Sequence, residues 1–184
     1  MSRLNTPVTV DASPEGSRPS LNTVAKSLGS VPNLFRVVGN SPAALKGYLG
    51  LSDALSGAKL DSRTQERIAL AVAEINGCGY CLSAHTYLGR NVAKLDDAEI
   101  NANRNGASND IKADAAVRFA AQIVRARGHV TDAELDTVRS AGYSDAEVVE
   151  IVLAVALNTF TNYVNEVAGT DIDFPRVTAL RAAA

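Results

Sequence analysis

Cys78 and Cys81 are the two cysteines of the chain, held in Cys78-Gly79-Tyr80-Cys81, with His85 four positions after the second and Glu66 twelve before the first. A thiol does redox chemistry as its thiolate. A helix starting close to Gly79-Tyr80 puts Cys81 in its first turn, facing unpaired backbone amides and the positive dipole end, both of which lower a thiol pKa. Cys81 is therefore the better nucleophile. His85 lies one turn later on the same face, placed to take its proton directly or through a water. Glu66, on the preceding helix, can orient His85 and offset the charge of its imidazolium. Cys78 sits just before the helix, where Gly79 frees the backbone to bring its sulfur onto an oxidised Cys81, the task of a resolving thiol. The chemistry is hydroperoxide reduction: Cys81 attacks the terminal oxygen, an alcohol leaves, and Cys78 condenses with the sulfenic acid to give a disulfide and water. An electron donor must then reduce the pair.

Other readings compete. Two cysteines at a junction of small residues can be inert core. Cys78, Cys81, His85 and Glu66 can instead be tried as a tetrahedral zinc set, although a Cys-His spacing of four within one helix is unusual and Glu is a rarer structural ligand. Glu66 could be a solvated partner of Arg63 or Arg67, with Glu74 then the substitute base. His129, in the turn Arg127-Gly128-His129, reads as surface. Tyr80 and Tyr87 either shape the pocket or fill the core. Asn158, Asn162 and Asn165 share one face of an apolar helix, and can bond across a subunit interface, line the thiol pocket or form a solvated stripe. Leu82, Leu88, Ile68 and Phe160 would supply an apolar approach, which favours organic hydroperoxides.

The elements that must position these groups read as helices. Apolar residues recur at helical spacing throughout: Leu45, Tyr48, Leu49 and Leu55, then Ile68, Leu70, Ala71, Val72 and Ile75. Pro32 suits the first turn of one helix, Ser41-Pro42 the cap and first turn of the next, closed by Gly57, and Asp61 caps a central helix from Ser62 to about Asn76. Asn76-Gly77 breaks it ahead of the cysteines. Further helices are predicted over 96–105 and 110–127. Thr131 with Glu134 and Ser144 with Glu147 form capping-box patterns that open a helix to Ser140 and the longest one, 145–167, ended by Gly169. The fold class is all-α. Pro7 to Ser20 reads as a flexible leader, giving residues 1–20 as leader and 21–184 as one helical domain.

With 184 residues, 46% of them apolar, the chain builds one substantial core. The formal charge of −2, from 18 basic and 20 acidic side chains, offers no electrostatic case for nucleic acid or an anionic membrane. No secretory signal pattern and no run of 18 charge-free apolar residues is present, so a cytoplasmic protein is expected. In a reducing compartment a lone CxxC is redox-active or metal-binding rather than a structural staple.

The run from Glu66 to His85 resembles the core motif of the carboxymuconolactone decarboxylase / AhpD-like alkylhydroperoxidase family, with Glu66, Cys78, Cys81 and His85 at its four functional positions. Val31-Pro32-Asn33-Leu34-Phe35 and Asn158-Thr159-Phe160-Thr161-Asn162-Tyr163 resemble flanks of its peroxidase-related branch. The resemblance implies an AhpD-like helical bundle assembled into homo-oligomers, trimers or hexamers. It implies Cys81 as peroxidatic thiol, Cys78 as resolving thiol and Glu66 with His85 as proton relay, with no cofactor. A lipoyl-type reductant is implied as well, while thioredoxin-like proteins or small thiols fit the residues equally. The chain departs from the pattern at Tyr80, where the well-studied alkylhydroperoxidases carry a histidine. The lactone decarboxylases of the family share the fold without the thiol pair. A redox-sensing oligomer is the non-enzymatic alternative.

Overall fold

The computed structural model describes residues 2–180, and within them the chain is all-α. A 3₁₀ turn at Glu15–Ser17 leads into α1 (Arg18–Leu28), α2 (Asn33–Val38), α3 (Pro42–Ser56), α4 (Ser62–Ile75), α5 (Gly79–Asn91), α6 (Asp97–Arg104), α7 (Ile111–Ala126), α8 (Asp132–Ser140) and α9 (Asp145–Ala168). The predicted boundaries from α2 onward agree with these to within a residue or two, because the polar caps that announce them are formed. Ser41, Asp61, Asp96 and Asp110 each accept a backbone N–H of the first turn, and both predicted capping boxes are closed.

Central α4 packs against α5, α6, α7 and α9. Ile68, Leu70, Ala71, Val72 and Ala73 are wholly buried, as their spread around the helix requires. On one side Ile68 and Val72 join Val117 and Ala120 of α7 and Ile151 of α9. A second cluster gathers Leu21, Leu34, Leu45, Tyr80 and Leu82 around the two cysteines.

Helix α1 begins at Arg18, ahead of the ordered start expected near Leu21. Pro19 reads as loop, yet proline is tolerated in a first turn, and Leu21 and Val24 are buried, Leu21 within the second cluster. The segment before it, expected as a leader, lies along the body. Arg36 donates to the carbonyls of Pro7 and Val8, and Asn40 Nδ2 to Asn5 O at 2.7 Å.

Helix α9 is long and apolar enough, by length and composition, to cross a bilayer, and 33% of its most apolar window is buried within the chain. Its inner face carries Ile151, Ala154, Asn158, Asn162 and Asn165, while Val149, Val152, Tyr163 and Val167 are exposed.

A buried ion pair ties α6 to α4. Glu99 accepts from Arg67 Nε at 2.7 Å, Asn103 Nδ2 at 2.9 Å, Ser108 Oγ at 2.5 Å and the Asn109 amide at 2.8 Å. Burial alone would raise the Glu99 pKa, but the four donors bring it from 4.5 down to about 2. The stability this contributes is present above 4.5 and is lost as pH falls toward 2. Arg67→Ala leaves a buried carboxylate short of its cation, and a denaturant titration at neutral pH should show a loss on the order of 3 kcal/mol.

Candidate active site

The turn Asn76-Gly77 delivers the cysteines to the start of α5. Gly77 takes the left-handed conformation (φ 66°) that the sharp reversal demands, whereas Gly79 is already helical and a Cβ there would meet Ile172 only at ordinary contact distance, 3.8 Å. The conformational freedom expected of Gly79 thus belongs to Gly77. Cys78 is the N-cap of α5, its Sγ accepting the Cys81 amide N–H at 3.4 Å, and Cys81 stands in the first turn as predicted.

Both thiols are buried and free. Their environments drive them apart. Cys81 is lowered from 9.0 to about 7, first by the hydrogen bond from the Cys78 thiol and then, against the cost of burial, by the charge of His85 and the amides of Asn165 and Asn162. Cys78 is raised, first by donating that bond and then by burial. One thiol is prepared as an anion, the other as a proton donor.

His85 and Glu66 meet as the sequence suggests. His85 Nδ1 donates to Glu66 Oε1 at 2.8 Å, which leaves Nε2 as the basic ring atom. Burial disfavours the imidazolium, but Glu66, by charge and hydrogen bond, and then Cys81 raise the His85 pKa above 6.5. Arg67 is taken by Glu99, so it does not compete for Glu66. Glu74, the substitute base, is paired to Arg104 at 2.8 Å and accepts the Leu180 amide, and it has no place beside the thiols. Among the described residues no group of three or more His, Cys, Asp or Glu is arranged to hold a metal. Glu66 is bonded to His85 Nδ1 and so is not placed as a direct ligand beside the two cysteines.

A cavity of about 620 Å³ opens onto Cys81, His85 and Glu66. Cys78 is not in its wall, so a molecule entering it meets Cys81 first. Leu34, Tyr48, Leu55, Leu88 and Leu157 give the wall its apolar character, and Arg63 and Lys94 also line it. Of the four residues expected to form the approach, only Leu88 does so. Ile68 and Leu82 are fully buried in the two core clusters, and Phe160 packs beside Tyr48 with ring centroids 6.2 Å apart. Tyr48, from α3, is in the sequence simply one of that helix's apolar positions; burial, and then the negative charge of Cys81, raise its pKa.

Tyr80 and Tyr87 serve packing around the site. Tyr80 is buried, its hydroxyl accepts the Leu34 amide at 3.1 Å, and its ring meets Phe174 edge-on at 5.9 Å, though part of it reaches the cavity wall. Tyr87 is half exposed and also packs on Phe174. Residues 170–180 cross the start of α5: Asp173 accepts the Asn33 amide at 2.8 Å and Ser83 Oγ accepts the Val177 amide at 3.0 Å. His129 is exposed, away from this cavity.

Asn158, Asn162 and Asn165 are buried, which removes the solvated-stripe reading. Asn158 caps back onto Ala154 O and lines the cavity; Asn165 Nδ2 donates to Cys81 Sγ at 3.3 Å. No alternation or motif marks a thiol partner 84 positions away on another helix, and only the residue type, amides on an apolar face, points to it.

Residues 42–126, from α3 through α7, match the model of the carboxymuconolactone decarboxylase family. The fold is similar to that of an AhpD-core, uncharacterized peroxidase-related protein from Ralstonia eutropha JMP134, with TM-score 0.83, 23% identity, and 94% of this chain and 92% of that one covered. An uncharacterized peroxidase-related protein from Silicibacter sp. TM1040 gives TM-score 0.80 at 24% identity over 92% and 91% of the chains. The debrominase Bmp8, in complex with 2,3,4-tribromopyrrole, gives 0.74 at 21% identity over 91% and 90%. At these identities the likeness is one of fold. No curated protein matches the sequence.

Proposed function

We propose that this chain, whose residues 42–126 match the carboxymuconolactone decarboxylase family model and whose fold is similar to that of AhpD-core peroxidase-related proteins, is a thiol-dependent peroxidase reducing organic hydroperoxides through Cys81 and Cys78. The observation that carries the reading is the asymmetry of the pair: Cys81 lines the cavity beside the His85–Glu66 couple, and Cys78 lies behind it as a proton-holding donor.

The Cys81 proton passes to His85, whose imidazolium Glu66 stabilises. The thiolate attacks the terminal peroxide oxygen, the O–O bond breaks, and the departing alkoxide takes the proton back from His85 to leave as alcohol. Cys81 is now a sulfenic acid. The Cys78 thiol displaces its hydroxyl as water, forming the disulfide and closing a two-electron oxidation of the protein. A dithiol donor returns the two electrons. Attack on the Cys78 sulfur expels Cys81, the better leaving group, yet Cys78 is wholly buried. A slim donor, a lipoyl-type dithiol or a small thiol, suits this access better than the body of a thioredoxin-like protein. The exposed Val149, Val152, Tyr163 and Val167 of α9 support assembly with further copies of the chain. A cytoplasmic location fits a reduced pair.

The thiolate is the reactive form, so its pKa sets the pH profile. The rate of the first peroxide turnover should fall tenfold per pH unit below about 7, whereas an ordinary thiol would already lose rate below 9.0, and should decline again once the pH strips His85 of the proton it returns to the alkoxide. Stopped-flow peroxide loss across pH reads this directly. Glu66→Gln should move the midpoint upward, since His85 then loses the charge that sustains its own; a midpoint near 9.0 in the unmodified protein would sink the assignment of Cys81.

A second acceptor class is favoured by the likeness to the debrominase. A dithiol gives the same two electrons to a halogenated aromatic ring, and the cavity has room for one. Bromide release from a bromopyrrole, with no peroxide present, distinguishes it. A redox sensor would consume one equivalent of peroxide and stop, even with a dithiol supplied.

A further inference from the structure

We propose that Asn165 of α9 is a catalytic group that holds the Cys81 sulfur in its anionic form from behind the cavity wall, with Asn162 beside it as a positioning residue. The inference rests on Cys81 being the attacking thiol.

An amide N–H can only donate, and it donates strongly to a thiolate but weakly to a thiol. Asn165 Nδ2 spends its donor on Cys81 Sγ at 3.3 Å with the residue 2% exposed. Its own carbonyl oxygen is buried with no hydrogen-bond partner among the described residues. Asn162 is fully buried, and its oxygen accepts from Asn76 Nδ2 at 2.9 Å, which fixes the end of the amide left to donate. That end, Nδ2, has no conventional partner among the described residues either. Two buried amides with orphan atoms are a standing cost. The same face of α9 is filled earlier by Ile151 and Ala154, where packing alone is served. A concentration of negative charge on the neighbouring sulfur suits the orphan Asn162 donor and strengthens the Asn165 N–H bond, and both amides act on Cys81 in the direction that favours its anion.

Neither residue lines the cavity, while Cys81 does. Substrate therefore reaches the sulfur from one side and the amides hold it from another, so they do not obstruct the attack. Neutral donors also keep the shift moderate. A thiolate made much more acidic would lose nucleophilicity, and a thiol pKa near the working pH gives the fastest attack. Asn76 belongs to the turn that delivers the cysteines, so hydrogen bonds from α9 reach both that turn and the reactive sulfur.

The test is the pH dependence of iodoacetamide alkylation at Cys81, located by peptide mass spectrometry, in the unmodified protein and in Asn165→Leu, Asn162→Leu and Asn165→Asp. Losing one charge-assisted bond in Asn165→Leu should shift the midpoint about one unit alkaline and slow alkylation about fivefold at pH 7, with the alkaline plateau retained. Asn162→Leu should shift it in the same direction. Asn165→Asp, of nearly the same volume, places a carboxylate against the sulfur and should shift it further; it decides the matter if the leucine variants do not fold. An unchanged midpoint, or a loss equal at every pH, overturns the proposal. Alkylation needs no peroxide, so the two readings fail separately. An unmoved midpoint with intact peroxide consumption removes the amide role alone, and a shifted midpoint in a protein that ignores peroxide removes the peroxidase reading alone.

Discussion

Cys81→Ser should abolish hydroperoxide consumption, lowering the first-turnover rate by about three orders of magnitude or more. A serine hydroxyl does not ionise at neutral pH, and neither His85 nor the start of α5 can bring it there. The substitution is nearly isosteric, and Cys78 would keep its place as N-cap of α5, accepting the same backbone N–H. The fold should therefore survive, so that melting temperature and activity separate. Stopped-flow peroxide loss with cumene hydroperoxide makes the comparison; retention of even a tenth of the activity would mean that Cys78 or another group attacks.

Cys78→Ser should give a different failure. Cys81 still lines the cavity beside His85, so the first equivalent of peroxide is consumed. The rate near neutral pH should stay close to that of the unmodified protein, because the serine hydroxyl keeps a donor where the Cys78 thiol lowered the Cys81 pKa. No thiol remains to displace the sulfenic hydroxyl, so steady-state turnover with a dithiol donor should fall by about two orders of magnitude, limited by how slowly that donor reaches a buried sulfenic acid. A dimedone adduct at Cys81, read by mass spectrometry, would mark the stranded intermediate. Full turnover in this variant would assign the resolving role elsewhere. Peroxide left untouched, with no adduct at Cys81 in a folded protein, would reverse the order of attack and make Cys78 the peroxidatic thiol.

Much of this machinery is legible in the residues because the signals that place it are local. Cap residues and a helical apolar period fix α3 to α9, and a cysteine at a helix start with histidine one turn on is a statement about α5 alone. Glu66 facing His85 requires α4 and α5 to pack side by side, which the short Asn76-Gly77 turn enforces. What escapes depends on tertiary packing. Three amides on α9 read equally as solvated, interfacial or buried until α4 and α5 cover them. Tyr48 reaches the site from α3, with nothing in its own helix to mark it beyond a hydroxyl in an apolar stripe. The placing of Ile68 in the approach fails on packing: Ile68 is turned into the core with Val72, Val117 and Ile151, and does not line the cavity that Glu66 lines. Ala69, three from Glu66, does. The start of α1 is obscured because Pro19 reads as loop, although its position suits a first turn.

The most direct measurement mixes fully reduced protein with less than one equivalent of cumene hydroperoxide and follows peroxide loss alongside the thiol state by mass spectrometry. One Cys78-to-Cys81 disulfide formed for each peroxide lost, followed by repeated cycles once a dithiol is added, is the predicted result. Peroxide that persists beside two unreacted thiols, in a protein shown to be folded and reduced, would contradict the assignment of peroxidase chemistry to this site.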